Sequence, residues 1–320
     1  MKKVLKFFGR LIAVILAIVL LAAIALCVIP LTERVDKAPA AGAGSWMADV
    51  PDEVFLSEMT IPGAHDAASL WPQLAFVTKC QALDIAQQLN IGVRYLDIRL
   101  GEDGDNLLLF HGFTKCRTAP LPWADALTLS DVLAQCTAFL DAHPTETILF
   151  AVKHEHGDLP DAEFDAMVQR YVEADPDHWL ITDEMPTLGD ARGKLVLLRR
   201  YEGAGLALNW ADQGGHDDVT QSIVAEPNGS YTLWVQDRFC YGAEDKWTAF
   251  TAGQRMMETD GENAAIHFLS TKGTLPQGHP WYFAQKLNPR LLDYDRGELS
   301  GWIVVDFVTP ELAKTIYDCN

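Results

Sequence analysis

Eight short runs of apolar, β-rich sequence recur along this chain, and they constrain its fold more than any other feature. Most are apolar at both odd and even positions, as in ILFAV, VLLRR and WIVVDF. That pattern is typical of parallel strands covered on both faces. The runs occupy residues 55–61, 93–100, 107–111, 147–153, 194–201, 232–237, 264–270 and 301–307.

Amphipathic segments separate several of these runs and predict helices. They lie at residues 80–89, 130–142, 162–172 and 245–257, and a last one ends the chain at 310–317. Strands alternating with helices over about 280 residues predict an α/β fold, a (β/α)8 TIM-type barrel. Only the short turn GEDGDN separates the second and third runs, so we expect some irregularity there.

The N-terminus has the pattern of a membrane-targeting segment. MKKVLKFFGR carries four positive charges, and the twenty residues that follow, 11–30, carry none. Twenty helical residues span roughly the 30 Å of a bilayer core, whereas a cleaved signal peptide has only about 7–15 apolar residues. We therefore expect a signal-anchor or transmembrane helix at 1–31, a linker at 32–44 and the barrel at 45–320. The basic flank places the barrel outside the cell, tethered, or secreted if the segment is cleaved.

The charge of the chain excludes one class of partner. The net charge is −19, and residues 1–44 contribute +4, so the remainder carries −23. Such an acidic body is repelled by nucleic acid and by strongly anionic membranes. Outside the N-terminal segment the cysteines lack a zinc-finger spacing, and their pairing stays open between disulfides and free thiols: Cys80, Cys116, Cys136, Cys240 and Cys319.

Polar residues cluster at the C-terminal ends of the predicted strands. In a barrel, that rim is where active sites are built. The residues concerned are His65, Asp66, Asp97, Arg99, His111, Gly112, Lys153, Glu155, Arg200, Asp237 and Asp306.

Two histidines and an arginine at this rim indicate phosphoryl transfer. His65 and His111 can act as general base and general acid, because an unperturbed imidazole titrates near pH 6.5. Arg99 offers a planar fork of donors for phosphate oxygens. No metal and no protein nucleophile is needed if the substrate supplies a hydroxyl. Taken singly, each histidine could be structural, and Arg99 could serve a rim ion pair.

These residues lie in motifs that resemble the bacterial phosphatidylinositol-specific phospholipase C family, whose catalytic part is the PI-PLC X domain. The resemblance runs from about Trp46 to the C-terminus. It rests on VPDEVFLSEMTIPGAHDAAS, GVRYLDIRL followed by LLLFHG, HPTETILFAVKHE, LGDARGKLVLLRRY, LWVQDRF and GWIVVDFV. The resemblance implies a distorted, partly open barrel.

The resemblance also implies a role for each catalytic residue. His65 is expected to be the general base for the inositol 2-hydroxyl, and His111 the general acid for the diacylglycerol leaving group. Asp306 would orient His65, and Asp66 would support His111. Arg99 would bind the phosphate where calcium-dependent relatives have metal ligands, so no metal and no cofactor is expected. The implied products are inositol 1,2-cyclic phosphate and diacylglycerol.

The substrate-binding residues follow in the same way. Lys153, Arg200 and Asp237 match positions that contact the inositol ring, and Gly112 is placed with them. Phe239 stands where the family has a stacking tyrosine, so stacking on the ring is kept but a hydroxyl is lost.

The expected partners are a membrane and an inositol lipid, either phosphatidylinositol or a glycosylated inositol phospholipid, acted on by a monomer. Trp71, Trp123, Trp210 and Trp281 are available for membrane entry. The acidic body favours neutral or zwitterionic surfaces. Two alternatives remain: a metal-dependent barrel phosphodiesterase acting on glycerophosphodiesters or sphingolipids, and an inactive inositol-lipid binding protein.

Overall fold

The computed structural model describes residues 2–28, 35–214, 223–257, 259–273 and 278–320. It begins with a long exposed helix, α1 (Lys2–Val28). The stretch Lys2–Ala25 is long and apolar enough to cross a membrane. The first buried residue of the main body is Ala43.

A curled, largely parallel sheet forms the body and confirms the predicted barrel class. The strands are β1 (Ile61–Ala64), β2 (Tyr95–Asp103), β3 (Asn106–His111), β4 (Thr114–Lys115), β5 (Ile148–His156), β6 (Trp179–Leu180), β7 (Leu195–Arg200), β8 (Leu206–Ala207), β9 (Val224–Asn228), β10 (Tyr231–Gln236), β11 (Asn263–Phe268) and β12 (Trp302–Val305). They pair in the order β6-β7-β5-β2-β1-β12-β11-β10-β9, and β8 pairs with β7. Within the described residues no ladder joins β8 to β9, so the barrel is open on that side.

Two of the predicted strands differ in the structure. The run 107–111 is β3, which forms an antiparallel hairpin with β2 and is not one of the parallel strands of the barrel. In the run 55–61 only the last residue, Ile61, is in a strand. The preceding residues cross the N-terminal end of the barrel, where the backbone oxygen of Leu56 accepts a 2.9 Å hydrogen bond from the Trp302 indole.

Helices cover the outer face of the sheet. The four longer amphipathic predictions correspond to α3, α4, α5 and α7, and the last to α9. Three of the described helices were not predicted: the four-residue helices α2 and α6, and α8, in which Pro289 interrupts the apolar pattern. The helices after α1 are α2 (Ala75–Thr78), α3 (Ile85–Asn90), α4 (Leu129–Ala142), α5 (Asp161–Ala174), α6 (Leu188–Ala191), α7 (Ala243–Met256), α8 (Pro280–Leu292) and α9 (Pro310–Tyr317).

The strands bury both of their faces, as their sequence pattern predicted. One set of side chains, including Leu96, Phe150 and Ile303, packs outward against the helices. The alternate set, including Tyr95 and Leu149, fills the barrel interior. Because successive side chains of a strand point to opposite faces, residues of the interior set recur at every second position. This register decides which side chains reach the mouth of the barrel.

Candidate active site

Six of the predicted site residues occupy equivalent positions on six strands. Each lies four residues beyond an apolar side chain of the barrel interior, which is an even step and therefore on the same face. The apolar residue fills the lower barrel, and the polar residue projects at the mouth. The pairs are Ile61 and His65, Tyr95 and Arg99, Leu149 and Lys153, Val196 and Arg200, Leu233 and Asp237, and Trp302 and Asp306.

A cavity of about 470 Å³ opens at this mouth. Nine of the ten residues named as site candidates line it; they are His65, Arg99, His111, Gly112, Lys153, Arg200, Asp237, Phe239 and Asp306. The tenth, Asp66, is buried beneath the others. The structure therefore brings all ten into one region.

His65 is held between a carboxylate and a guanidinium. Its Nδ1 is 2.7 Å from Asp306 Oδ1, and its Nε2 is 2.8 Å from Arg99 Nη2. Because a guanidinium only donates hydrogen bonds, Nε2 must present its lone pair, and the ring proton lies on Nδ1 facing Asp306. Burial acts to lower the pKa of His65, but Asp306 outweighs it and raises the pKa above its ordinary value.

One side chain fixes the backbone on both sides of this pair. The Gln81 amide donates to the carbonyl oxygens of His65 and Val305, at 2.8 and 3.0 Å. Its side-chain oxygen accepts from the backbone N–H of Val308. Gln81 thus joins the ends of β1 and β12, from which His65 and Asp306 project.

His111 faces His65 across the cavity. The two ring centroids are 6.1 Å apart, with the planes nearly perpendicular. His111 Nδ1 is 2.6 Å from the Thr78 carbonyl oxygen, so this nitrogen carries a proton. Asp66 Oδ2 lies 3.2 Å from the same nitrogen. The other nitrogen, Nε2, is left for a ligand.

Asp66 adopts a strained backbone conformation, with φ at +44°. Its backbone N–H donates to Asp97 Oδ2 at 3.1 Å. Burial raises the pKa of the Asp66 carboxyl, and the charges of His111 and Arg99 offset this only in part. Its Oδ2 atom is buried and receives no hydrogen bond from the described residues.

Arg99 is anchored by two carboxylates that leave its tip at the cavity. Its Nε and Nη2 donate to Asp97 Oδ2 at 3.1 and 3.0 Å, and Nη1 lies 3.4 Å from Glu155 Oε1. Burial acts to raise the pKa of Asp97, but Arg99 and His65 hold it well below its usual range. A guanidinium held in this way is oriented before any phosphate arrives.

Three cations stand side by side on neighbouring strands. Arg99 pairs in register with Lys153, and Lys153 with Arg200. Glu155 offsets this repulsion, since its Oε2 is 2.5 Å from Lys153 Nζ. Burial acts to raise the pKa of Glu155, but Arg99 and Lys153 lower it to about 2.

The far wall of the cavity combines aromatic rings with polar groups. The Arg200 guanidinium lies 3.6 Å from the centre of the Trp210 ring, and the Trp210 indole N–H donates to Asp237 at 3.1 Å. Lys272 Nζ is 4.9 Å from the centre of the Phe239 ring. A polyhydroxylated ring suits this wall, because its C–H face can lie against an aromatic ring while its hydroxyls bind the charged side chains.

Several cavity residues were missed as site residues. Trp210 was expected at a membrane-entry surface, but it contacts Arg200 inside the cavity. Glu155 was noted at the rim but was given no role, although it lies two residues beyond Lys153 on the same strand face. Lys272 and Cys80 also line the cavity, and no pattern in the sequence marked them.

The cysteines that were left open are free thiols: Cys80, Cys116, Cys136, Cys240 and Cys319. Burial raises the pKa of the thiols of Cys80, Cys116 and Cys136.

Residues 53–202 match the PI-PLC X 1 family model. The chain is 26% identical to the 1-phosphatidylinositol phosphodiesterase of Staphylococcus aureus strain Newman, over 82% of this chain and 88% of that protein. It is 34% identical to the enzyme of the same name from Listeria monocytogenes, over 48% of this chain and 47% of that protein.

Solved structures show the same fold. The phosphatidylinositol-specific phospholipase C of Staphylococcus aureus superposes with a TM-score of 0.73 at 24% identity, over 88% of this chain and 98% of that one. The enzyme from Listeria monocytogenes superposes with a TM-score of 0.67 at 23% identity, over 87% of this chain and 98% of that one.

Proposed function

We propose that this chain, which belongs to the PI-PLC X domain family, is a phosphatidylinositol-specific phospholipase C. It cleaves the bond between phosphate and glycerol and yields inositol 1,2-cyclic phosphate and diacylglycerol. The relatives named as 1-phosphatidylinositol phosphodiesterases support this substrate. The observation that carries the proposal is the placing of two imidazoles 6.1 Å apart, with the Arg99 guanidinium hydrogen-bonded to one of them.

His65 serves as the general base. The phosphate draws the Arg99 Nη2 donor away from His65 Nε2, which frees that lone pair for the inositol 2-hydroxyl. The 2-hydroxyl proton moves to Nε2 while the oxygen attacks phosphorus. Asp306, 2.7 Å from Nδ1, stabilises the imidazolium that forms.

His111 serves as the general acid. It donates the Nε2 proton to the glycerol oxygen as the phosphorus–oxygen bond breaks, so diacylglycerol leaves neutral. Asp66 and the Thr78 carbonyl both face Nδ1 and so orient the ring with Nε2 towards the glycerol oxygen. Arg99 balances the charge on the phosphate oxygens during the reaction.

The inositol ring occupies the remainder of the cavity. Lys153, Arg200 and Asp237 contact its hydroxyls, Phe239 lies against one face, and the Gly112 backbone borders it. Gly112 N–H donates to Glu155 at 3.0 Å, and its φ of +57° suits a glycine.

The reaction is proposed to need no metal, because Arg99 supplies positive charge at the phosphate. A metal-dependent phosphodiesterase acting on glycerophosphodiesters or sphingolipids is the competing function. An inactive inositol-lipid binder is the other.

One experiment tests these functions together. Phosphatidylinositol is supplied in mixed micelles, and inositol 1,2-cyclic phosphate is measured with and without excess chelator. We expect release that resists the chelator and falls by about 10²–10⁴-fold in His65→Ala and in His111→Ala. His178→Ala is the matched control, because this histidine pairs with Asp175 and Asp141 outside the cavity.

Loss of activity in chelator would favour the metal-dependent alternative. Binding of phosphatidylinositol without product would favour the inactive one.

The same proposal extends to location. Residues 1–31 form a single membrane pass or a signal segment, 32–44 a linker, and 45–320 a monomeric catalytic barrel outside the cell. The apolar stretch Lys2–Ala25 supports this. Fractionation of cells that make a C-terminally tagged chain would place it in the membrane if the segment is retained, or in the medium at a smaller mass if it is cleaved.

A further inference from the structure

A thiol lies at the floor of the cavity, next to the general acid. Cys80 is fully buried, and its Sγ is 3.7 Å from His111 Nδ1. The neighbouring carboxylate oxygen, Asp66 Oδ2, is 3.2 Å from the same nitrogen. One donor atom from each of these three residues lies within 4.8 Å of the other two.

Asp66 supplies an independent sign that something can bind here. The residue is 1% exposed, and its Oδ2 receives no hydrogen bond from the described residues. His111 cannot satisfy it fully, because the Nδ1 proton is directed at the Thr78 carbonyl, 2.6 Å away. A buried carboxylate oxygen without a donor costs free energy that a cation would recover.

The separations agree with a tetrahedral zinc site. With zinc–sulfur, zinc–nitrogen and zinc–oxygen bonds of about 2.3, 2.05 and 2.0 Å, tetrahedral angles place sulfur and nitrogen about 3.6 Å apart and nitrogen and oxygen about 3.3 Å apart. The observed distances are 3.7 Å between Cys80 Sγ and His111 Nδ1, and 3.2 Å between His111 Nδ1 and Asp66 Oδ2. The other cluster that contains Cys80 fits less well, since His65 Nδ1 and Asp306 Oδ1 are only 2.7 Å apart.

We propose that Asp66, Cys80 and His111 form an inhibitory site for a thiophilic divalent cation such as zinc. Binding releases the Cys80 Sγ–H proton and the Nδ1 proton of the His111 imidazolium to solvent, and a water completes the coordination. With the metal on Nδ1, His111 is a neutral imidazole whose one proton lies on Nε2, and that proton is far less acidic than the proton of an imidazolium, so His111 no longer serves as the general acid. Zinc binding is independent of which lipid the cavity cleaves, whereas the loss of activity rests on the proposed function.

The local charge favours a dication. The carboxylates around the floor outnumber the cations there: Asp66, Asp97, Glu155 and Asp306 against Arg99, Lys153 and Arg200. Arg99 Nε is 3.8 Å from Asp66 Oδ2 and opposes binding, but Asp97 neutralises it. Hard cations such as magnesium and calcium prefer all-oxygen sites, so they are not expected to inhibit.

Cadmium and zinc test the site on the full chain in detergent micelles. Cadmium should give the ultraviolet charge-transfer band of a cadmium–thiolate bond in the wild type and not in Cys80→Ser. Zinc should inhibit lipid cleavage, chelator should reverse it, and Cys80→Ser should need at least about tenfold more zinc relative to its own zinc-free rate. Cys240→Ser is the matched control, because this half-buried thiol neighbours Phe239 and should leave both readouts unchanged.

Three outcomes would overturn the proposal. The cadmium–thiolate band could survive in Cys80→Ser, the band could be lost in Cys240→Ser, or the wild type could bind no zinc. X-ray absorption of the zinc-loaded wild type needs no variant, so it is the deciding measurement in the case that Cys80→Ser does not fold. It should show one sulfur at about 2.3 Å with nitrogen and oxygen ligands, and nitrogen and oxygen alone would refute it. Zinc binding in a chain that releases no cyclic phosphate would preserve the metal site and reject the proposed enzyme.

Discussion

Arg99 Nη2 donates a 2.8 Å hydrogen bond to His65 Nε2, which joins the proposed phosphate-binding cation to the proposed general base. The guanidinium therefore occupies the lone pair that takes the proton in the proposed mechanism. A phosphate oxygen competes for the same donor, so the base becomes available as the substrate binds. In the proposed mechanism this contact couples substrate binding to proton transfer.

Asp306→Asn tests the orientation of the base. Burial acts to lower the pKa of His65 and Asp306 raises it, so removal of the Asp306 charge lowers that pKa. The acid limb of kcat/KM should move to lower pH, because His65 stays neutral further into acid. The plateau should fall steeply; the comparable change in a Ser-His-Asp triad costs about 10⁴-fold. A pH–rate profile measures both, and an unmoved acid limb would assign it to another group.

Arg99→Lys tests the fork geometry of the guanidinium. A lysine keeps the charge but cannot contact Asp97 through two nitrogens and reach the phosphate as well. We expect kcat/KM to fall by about 10²–10³-fold. Arg199→Lys is a suitable control, because Arg199 donates to the backbone oxygens of Tyr201 and Gly205 and does not line the cavity. Equal losses in the two variants would point to general destabilisation.

Glu155→Gln tests the carboxylate between the cations. The pKa of Glu155 is lowered to about 2 from 4.5, so its stabilising effect is complete above pH 4.5 and is lost as the pH falls through 2. The full contribution is roughly 3 kcal/mol. The difference in unfolding free energy between wild type and Glu155→Gln should therefore shrink between pH 5 and pH 2.5. Glu173→Gln, at an exposed position of α5, should show no such trend.

Lys246→Met tests a buried amine behind the cavity. Lys246 Nζ donates to Gln236 Oε1 at 2.9 Å, and burial lowers its pKa from 10.5 to about 7. Between these values the unfolded chain binds one more proton, so this group makes stability rise with pH by about 1.4 kcal/mol per unit. Denaturant unfolding from pH 8 to pH 10 should show a flatter slope in Lys246→Met than in wild type or in the exposed control Lys286→Met. Parallel slopes would mean that the amine is charged in the fold.

The charge of the barrel predicts the effect of membrane composition. The residues after 44 carry a net charge of −23, so extra anionic lipid at a fixed phosphatidylinositol fraction should slow turnover. Added salt should weaken the effect, since the Debye length is about 8 Å at physiological ionic strength. Vesicle assays with increasing phosphatidylglycerol measure this. Faster turnover would contradict the preference for neutral surfaces.

Much of the fold could be predicted from the sequence, because parallel strands that are covered on both faces have apolar residues at both odd and even positions. The site followed from the ends of those strands, since His65 and Asp306 lie the same distance beyond Ile61 and Trp302. The separation of four residues is even, so the polar residue lies on the same strand face as the apolar one and faces the cavity. This separation can be read from the sequence alone. His111 was also selected at the end of a predicted strand, but that strand is the antiparallel β3, so the rule for parallel strands does not explain its position.

Other features depended on contacts between distant segments. Trp210 was assigned to the surface, since nothing in its neighbours reveals the guanidinium of Arg200 above its ring. Residues 55–60 cross the end of the barrel, where the Leu56 carbonyl accepts a hydrogen bond from Trp302, which lies 246 residues further along the chain. Local propensity carries no information about such pairings.

The amide of Gln81 has a consequence for how this catalyst could evolve. Gln81 hydrogen-bonds to the backbone at His65 and on both sides of Asp306. It therefore holds the His65–Asp306 pair as a unit that does not depend on the surrounding loops. Those loops can lengthen, shorten or change charge, and so redefine which head group or membrane is admitted, while the proton-transfer machinery keeps its alignment.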